Sequence, residues 1–218
     1  MKSLAEELKA GTRALHVEVE RSVFMGKLLR GEMTRGAYAA LLRNLWAIYT
    51  KLEAALAQAS ADAGVRAVLD PALERAAAIE QDLLTVHGPD WLTALHIGPA
   101  CQHYLDRLDA LSSTQPRLLV AHAYVRYLGD LNGGQALARI VARQLELALG
   151  DGIAFYDFGS AEDVSRLKQA FRDGLGRVAR DDAEVDVLVA EARLSFELHA
   201  ALFDELAATH FPHAALPA

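Results

Sequence analysis

Three groups of residues in this chain combine types and spacings that could do chemistry. His16 has Glu20 four residues after it and Lys9 seven before it, so on a helix the three share one narrow face. A neutral imidazole in that setting can ligate a metal through one nitrogen while a carboxylate or carbonyl fixes its other N–H. The plainer reading is a partly exposed helix histidine with a surface carboxylate. Gly129, Gly133 and Gly134 interrupt an otherwise helical pattern around Asp130, and each interior glycine costs about 1 kcal/mol against alanine. Gly129 and Gly133 are one turn apart, about 6 Å, which leaves a face without side chains where a flat ligand can meet the backbone. Lys168 and Arg172 put two like charges four residues apart, unfavourable unless an anion or acid neutralises them. A solvated basic patch is the alternative there.

Local chemistry leaves the glycine run open. Asn132-Gly133-Gly134 could be a turn between two helices, with Asp130 as the cap of a kink. A phosphate cradle lacks the Lys-Ser or Lys-Thr that must follow its glycines, and a calcium loop lacks its alternating acids and terminal glutamate.

About seven helices must position these residues. Ser3 with Glu6 predicts a capping box and an apolar stripe over residues 3–24, which carries His16. Thr34 caps a second helix to about residue 58, and Asp70-Pro71 opens a third that ends near Gly88-Pro89. A shorter helix fits 99–111, the glycine-bearing helix 116–149, and Ser160 and Asp182 open the last two. Residues 150–159, with turn residues and aromatics, are the one clear loop. Trp46, Trp91, Tyr38, Leu41 and Leu45 read as core.

Composition narrows the classes. The 218 residues suit one domain over 1–218, and 52% hydrophobic residues with only 6 prolines favour helices throughout. A net charge of −7 argues against nucleic acid, which needs a basic face. Cys101 is the only cysteine, so no disulfide, thiolate zinc cluster or Cys-x-x-Cys-His attachment is available. Glu6 and Glu7 stand where a signal peptide needs its apolar core, no run reaches membrane-span length, and the tail HFPHAALPA is too short to anchor. These features predict a soluble, cytoplasmic protein. His87, His96, His103, His122, His199, His210 and His213 have no metal-type spacing, and no Glu-x-x-His occurs for a di-iron site.

The string Tyr124-x-Arg126-Tyr127-Leu128-Gly129-Asp130-Leu131-x-Gly133-Gly134-Gln135 closely resembles the distal-helix signature of the haem oxygenases. Lys9, Thr12, His16 and Glu20 match that family's proximal setting, and Lys168 with Arg172 its Lys-x-x-x-Arg pair. Leu73-x-Arg75, residues 80–83, Gly88-Pro89-x-Trp91 and Phe196 are similar too, so the resemblance spans about 3–206. Asn132 stands where serine is common, and His199 near a position that often bears an amide.

The resemblance implies an all-α, single-domain fold with haem b, cofactor and substrate at once, held noncovalently between the first helix and the kinked glycine-rich helix. His16 would be the iron ligand with Glu20 beside it, and Lys9, Lys168 and Arg172 would meet the propionates. Gly129, Gly133 and Gly134 would let the backbone pack on the opposite face, with Phe196 also at the haem. Asp130 would be an ionised carboxylate holding proton-delivering waters, with Tyr49, Tyr124 and Arg126 nearby. The implied reaction gives biliverdin, expected as the IXα isomer, with CO and ferrous iron. It consumes dioxygen and electrons from a ferredoxin, flavodoxin or reductase-type donor. A noncatalytic haem carrier or sensor of the same fold is the alternative, and a haem-free helical scaffold a more distant one.

Overall fold

The computed structural model of the chain describes residues 2–148 and 150–212; Leu149, the expected end of the glycine-bearing helix, and the tail from His213 lie outside the described residues. Eleven α-helices and no strand occur among the described residues: α1 (Leu4–Glu20), α2 (Val23–Leu29), α3 (Arg35–Gln58), α4 (Ala63–Arg66), α5 (Ala76–Val86), α6 (Trp91–Ala94), α7 (Pro99–Thr114), α8 (Leu119–Ala123), α9 (Gly129–Gln144), α10 (Ala161–Leu175) and α11 (Asp182–His210).

Two long helices make the frame. α3, about 36 Å long, buries Tyr38, Leu42, Ile48, Tyr49 and Leu52 and packs on α5 and α7. α11, about 44 Å long, lies against α1, α2, α7 and α8. α1 approaches α11 closely because Gly11 has no side chain: a Cβ there would meet Val189 Cγ1 at 2.5 Å. Lys2 pins the start of α1 to α11 through Asp182 and Asp186.

Several boundaries differ from the sequence reading. The first helix ends at Glu20, because Ser22 turns extended (ψ 155) and caps α2 by accepting the Met25 N–H; Phe24 therefore belongs to α2. Ser3 is the N-cap of α1 but makes no side-chain cap bond. Asp70 caps only a single 3-10 turn, Pro71–Leu73, after which Glu74 is extended. α5 starts afresh at Ala76, where the Glu53 carboxylate accepts the Arg75 and Ala76 N–H groups. The glycine-bearing segment continues as a helix through Asn132-Gly133-Gly134, so the turn reading fails. Its irregularity comes earlier, as a π-helical turn at Tyr124–Leu128 between α8 and α9, a common cause of a helix bend. α9 stops at Gln144, followed by Glu146 at φ 51.

Candidate active site

His16 and Glu20 sit on the last turns of α1, where they form part of the wall of a cavity of about 280 Å³. His16 Nδ1 lies 3.6 Å from Glu20 Oε2, with both side chains about half exposed (54% and 56%). The Phe196 ring, from α11, stands edge-on to the imidazole at 5.9 Å. Much of the remaining wall is apolar, from α2, α3 and α9. Leu41 and Leu45, read as plain core, line it too.

In the same wall, Gly129 and Gly133 expose bare backbone. A Cβ at either would meet nothing within 4 Å, and both face the cavity. Gly134 plays a different part from that expected: its Cβ position is 3.4 Å from Tyr156 Cδ1. It makes room for Tyr156, which lines the cavity in its place.

Behind the glycines lies a buried polar group. The Tyr49 hydroxyl, from α3, donates to Asp130 Oδ2, and Arg126 Nη2 stands 3.6 Å from Asp130 Oδ1. Burial pushes the Asp130 carboxyl up from the usual aspartate range, while the Arg126 guanidinium and the Tyr49 hydroxyl oppose it. Burial and then the Asp130 charge hold the Tyr49 phenol well above its ordinary value. Arg126 Nη1 also donates to the His199 ring at 2.8 Å. Burial, with Arg126 adding to it, keeps His199 well below the usual histidine range, so it is the neutral acceptor. Arg126 Nε is buried with no partner among the described residues, an unspent donor beside the cavity.

The cations lie apart from this group. Lys9 and Arg172 are exposed, Lys168 is half-buried, and none of the three takes part in a salt bridge among the described residues. Tyr124 has Arg172 beside it. Burial raises its hydroxyl, with Thr12 and Arg172 at its side pulling the other way.

Sequence reasoning missed Phe155, Tyr156 and His199 as cavity residues. The aromatics in the loop at 150–159 were the available signal for the first two. Nothing in the spacing around His199 pointed to Arg126, 73 positions away.

The family model described as Heme oxygenase matches residues 2–205. The chain belongs to the haem oxygenase family. It is 36% identical over 209 residues to Heme oxygenase 2 of Synechocystis sp. (strain ATCC 27184 / PCC 6803 / Kazusa), covering 94% of this chain and 84% of that relative. The crystal structure of heme oxygenase-2 from Synechocystis sp. PCC 6803 in complex with heme and NO matches with a TM-score of 0.91 and 34% identity, over 97% of this chain and 90% of that one. Heme oxygenase from Leptospira interrogans gives a TM-score of 0.88 and 35% identity, over 94% and 100%. Within this haem oxygenase frame, the two departures noted in the sequence, Asn132 and His199, both face the cavity.

Proposed function

We propose that the protein is a haem oxygenase that cleaves haem at a meso carbon to biliverdin, CO and ferrous iron, using dioxygen and an external electron donor. The observation that carries this reading is the meeting of one histidine and two bare glycines in the wall of one largely apolar cavity. No group of three or more metal-ligating side chains occurs among the described residues, so His16 suits an iron that brings its other ligands with it in a flat macrocycle. The unpartnered Arg126 Nε and the open Cβ positions of Gly129 and Gly133 fit such a guest.

In this reading haem supplies the iron that activates dioxygen and the ring that is oxidised. His16, from α1, would hold the haem iron through its imidazole, with Glu20 beside the ring. Gly129 and Gly133 would let the α9 backbone approach a flat guest closely and exclude bulk water. Behind the glycines, Asp130 with Tyr49 and Arg126 would hold a proton at the carboxyl and hydroxyl and move it toward the cavity. Lys9, Lys168 and Arg172, joined by Tyr124, receive the two propionates through charge-assisted hydrogen bonds. These cations would set the orientation of the ring, from which we expect the IXα isomer. The donor is of the ferredoxin, flavodoxin or reductase type.

Haemin titration, followed by reductant in air, tests the function. Replacement of the haem bands by those of a bile pigment supports the oxygenase. A haem spectrum that persists without pigment would make the protein a carrier, and absence of binding would sink both.

A further inference from the structure

We propose that Asp82 is a positioning residue of the site: from α5 it holds the turn Ala154–Tyr156 that forms one wall of the cavity, and thereby sets how the ligand sits. This rests on the haem reading above for the identity of the ligand, though not for the existence of the latch.

Asp82 is fully buried, at 0% exposure. Its Oδ1 accepts the Ala154 N–H at 2.7 Å and its Oδ2 the Phe155 N–H at 2.8 Å. Burial pushes the carboxyl up to about 6, and the two N–H groups work against that, so it is largely charged at neutral pH. Placing a carboxylate in the interior is unfavourable unless its oxygens are satisfied, and here both are given to one short turn.

That turn carries the two aromatics the sequence reading missed. Phe155 meets the Tyr49 ring edge-on at 5.6 Å, and Tyr49 is the hydroxyl bound to Asp130. Tyr156 fills the space left by Gly134. The flanks have their own ties: Tyr38 donates to the Gly152 carbonyl at 3.0 Å, and Arg75 Nη1 to the Asp157 carbonyl at 2.6 Å. Between them Tyr156 meets Tyr38 through its side chain, and Asp82 accepts the Ala154 and Phe155 N–H groups of the turn. Releasing it frees Phe155 while the ends of the loop stay anchored.

Asp82→Asn keeps the shape but offers one acceptor where two are needed, and turns an N–H toward another N–H. Hydrogen exchange on the ligand-free full chain should show the Ala154 and Phe155 amides exchanging about 10- to 100-fold faster. Haemin should bind several-fold more weakly, and a single pigment isomer should become a mixture. Asp62→Asn, which loosens the Arg117 pair at a distant surface, should lower stability without changing either. Unchanged exchange at the turn would show that Asp82 is no latch. Faster exchange with wild-type haemin affinity and isomer pattern would reduce it to a structural residue. If the wild type binds no haemin, the proposed function falls, while exchange still decides for or against the latch. Should Asp82→Asn fail to fold, Phe155→Ala removes the wall and keeps the latch. A single unchanged isomer from that variant would overturn the role of the wall.

Discussion

Asp130 is the residue whose environment bears most directly on chemistry, because burial favours the proton on its carboxyl while one arginine and one phenol favour the charged form. Asp130→Ala should bind haemin nearly as well as wild type yet lose about 100-fold or more in pigment formation, with peroxidase activity rising instead. A retained biliverdin yield would remove Asp130 from the mechanism. Tyr49→Phe removes a donor to the charged form, which raises the Asp130 carboxyl further. Its pH–rate profile should therefore move its acid limb to higher pH, and an unmoved limb would separate the two residues. His16→Ala should keep haemin through the apolar walls and the cations, lose turnover, and recover part of it with added imidazole. Wild-type turnover without imidazole would show that another group ligates the iron.

At the scale of elements, the glycines divide by what lies over them. Gly133 stands within α9 with nothing within 4 Å of its Cβ position, so alanine adds about 1 kcal/mol of helix stability. Gly133→Ala should thus raise the melting temperature of the ligand-free protein by about 2–4 °C while weakening haemin binding. Gly11 shows the opposite case, since its Cβ would lie 2.5 Å from Val189 and a β-branched neighbour has little freedom to turn away. Overpacking of about 1–3 kcal/mol exceeds the helical gain, and Gly11→Ala should melt lower. Calorimetry of both variants checks the pair; an upward shift for Gly11→Ala would mean that this glycine is not there for the close approach of α11.

The whole molecule carries a charge ledger that depends on pH. Burial would raise the Glu191 carboxyl, but His122 and Arg107 outweigh it and bring it from 4.5 down to about 2. A carboxylate depressed on folding stabilises above its unfolded value and loses that stabilisation as pH falls from about 4.5 to 2, on the order of 3 kcal/mol. Glu53 is the reverse case, pushed up from 4.5 to about 7 chiefly by burial. Its favourable contribution is present below pH 4.5 and fades as pH rises through 7. Denaturant titrations should show Glu191→Gln flattening the acid limb and Glu53→Gln flattening the decline between pH 4.5 and 7. Parallel curves for all three proteins would contradict both assignments. No helix among the described residues is long and apolar enough to cross a membrane.

What the chain determined by itself was everything that repeats at the period of a helix. His16 with Glu20, Gly129 with Gly133, and Lys168 with Arg172 each lie four residues apart, so their shared face follows from local geometry alone. The all-α architecture followed from composition and stripes, and the twelve-position string at 124–135 pointed to the family. Where the chain breaks, local signals competed on nearly equal terms: Ser22 ended a helix whose apolar stripe ran on to Phe24, and the π turn left no mark that spacing could reveal. Only the tertiary structure joined Tyr49 to Asp130, Arg126 to His199 and Asp82 to Ala154 and Phe155, which stand 81, 73, 72 and 73 positions apart. Such pairs depend on how α3, α5 and α11 pack around one core. A side chain's sequence neighbours carry no record of which partner that packing will bring within 3 Å.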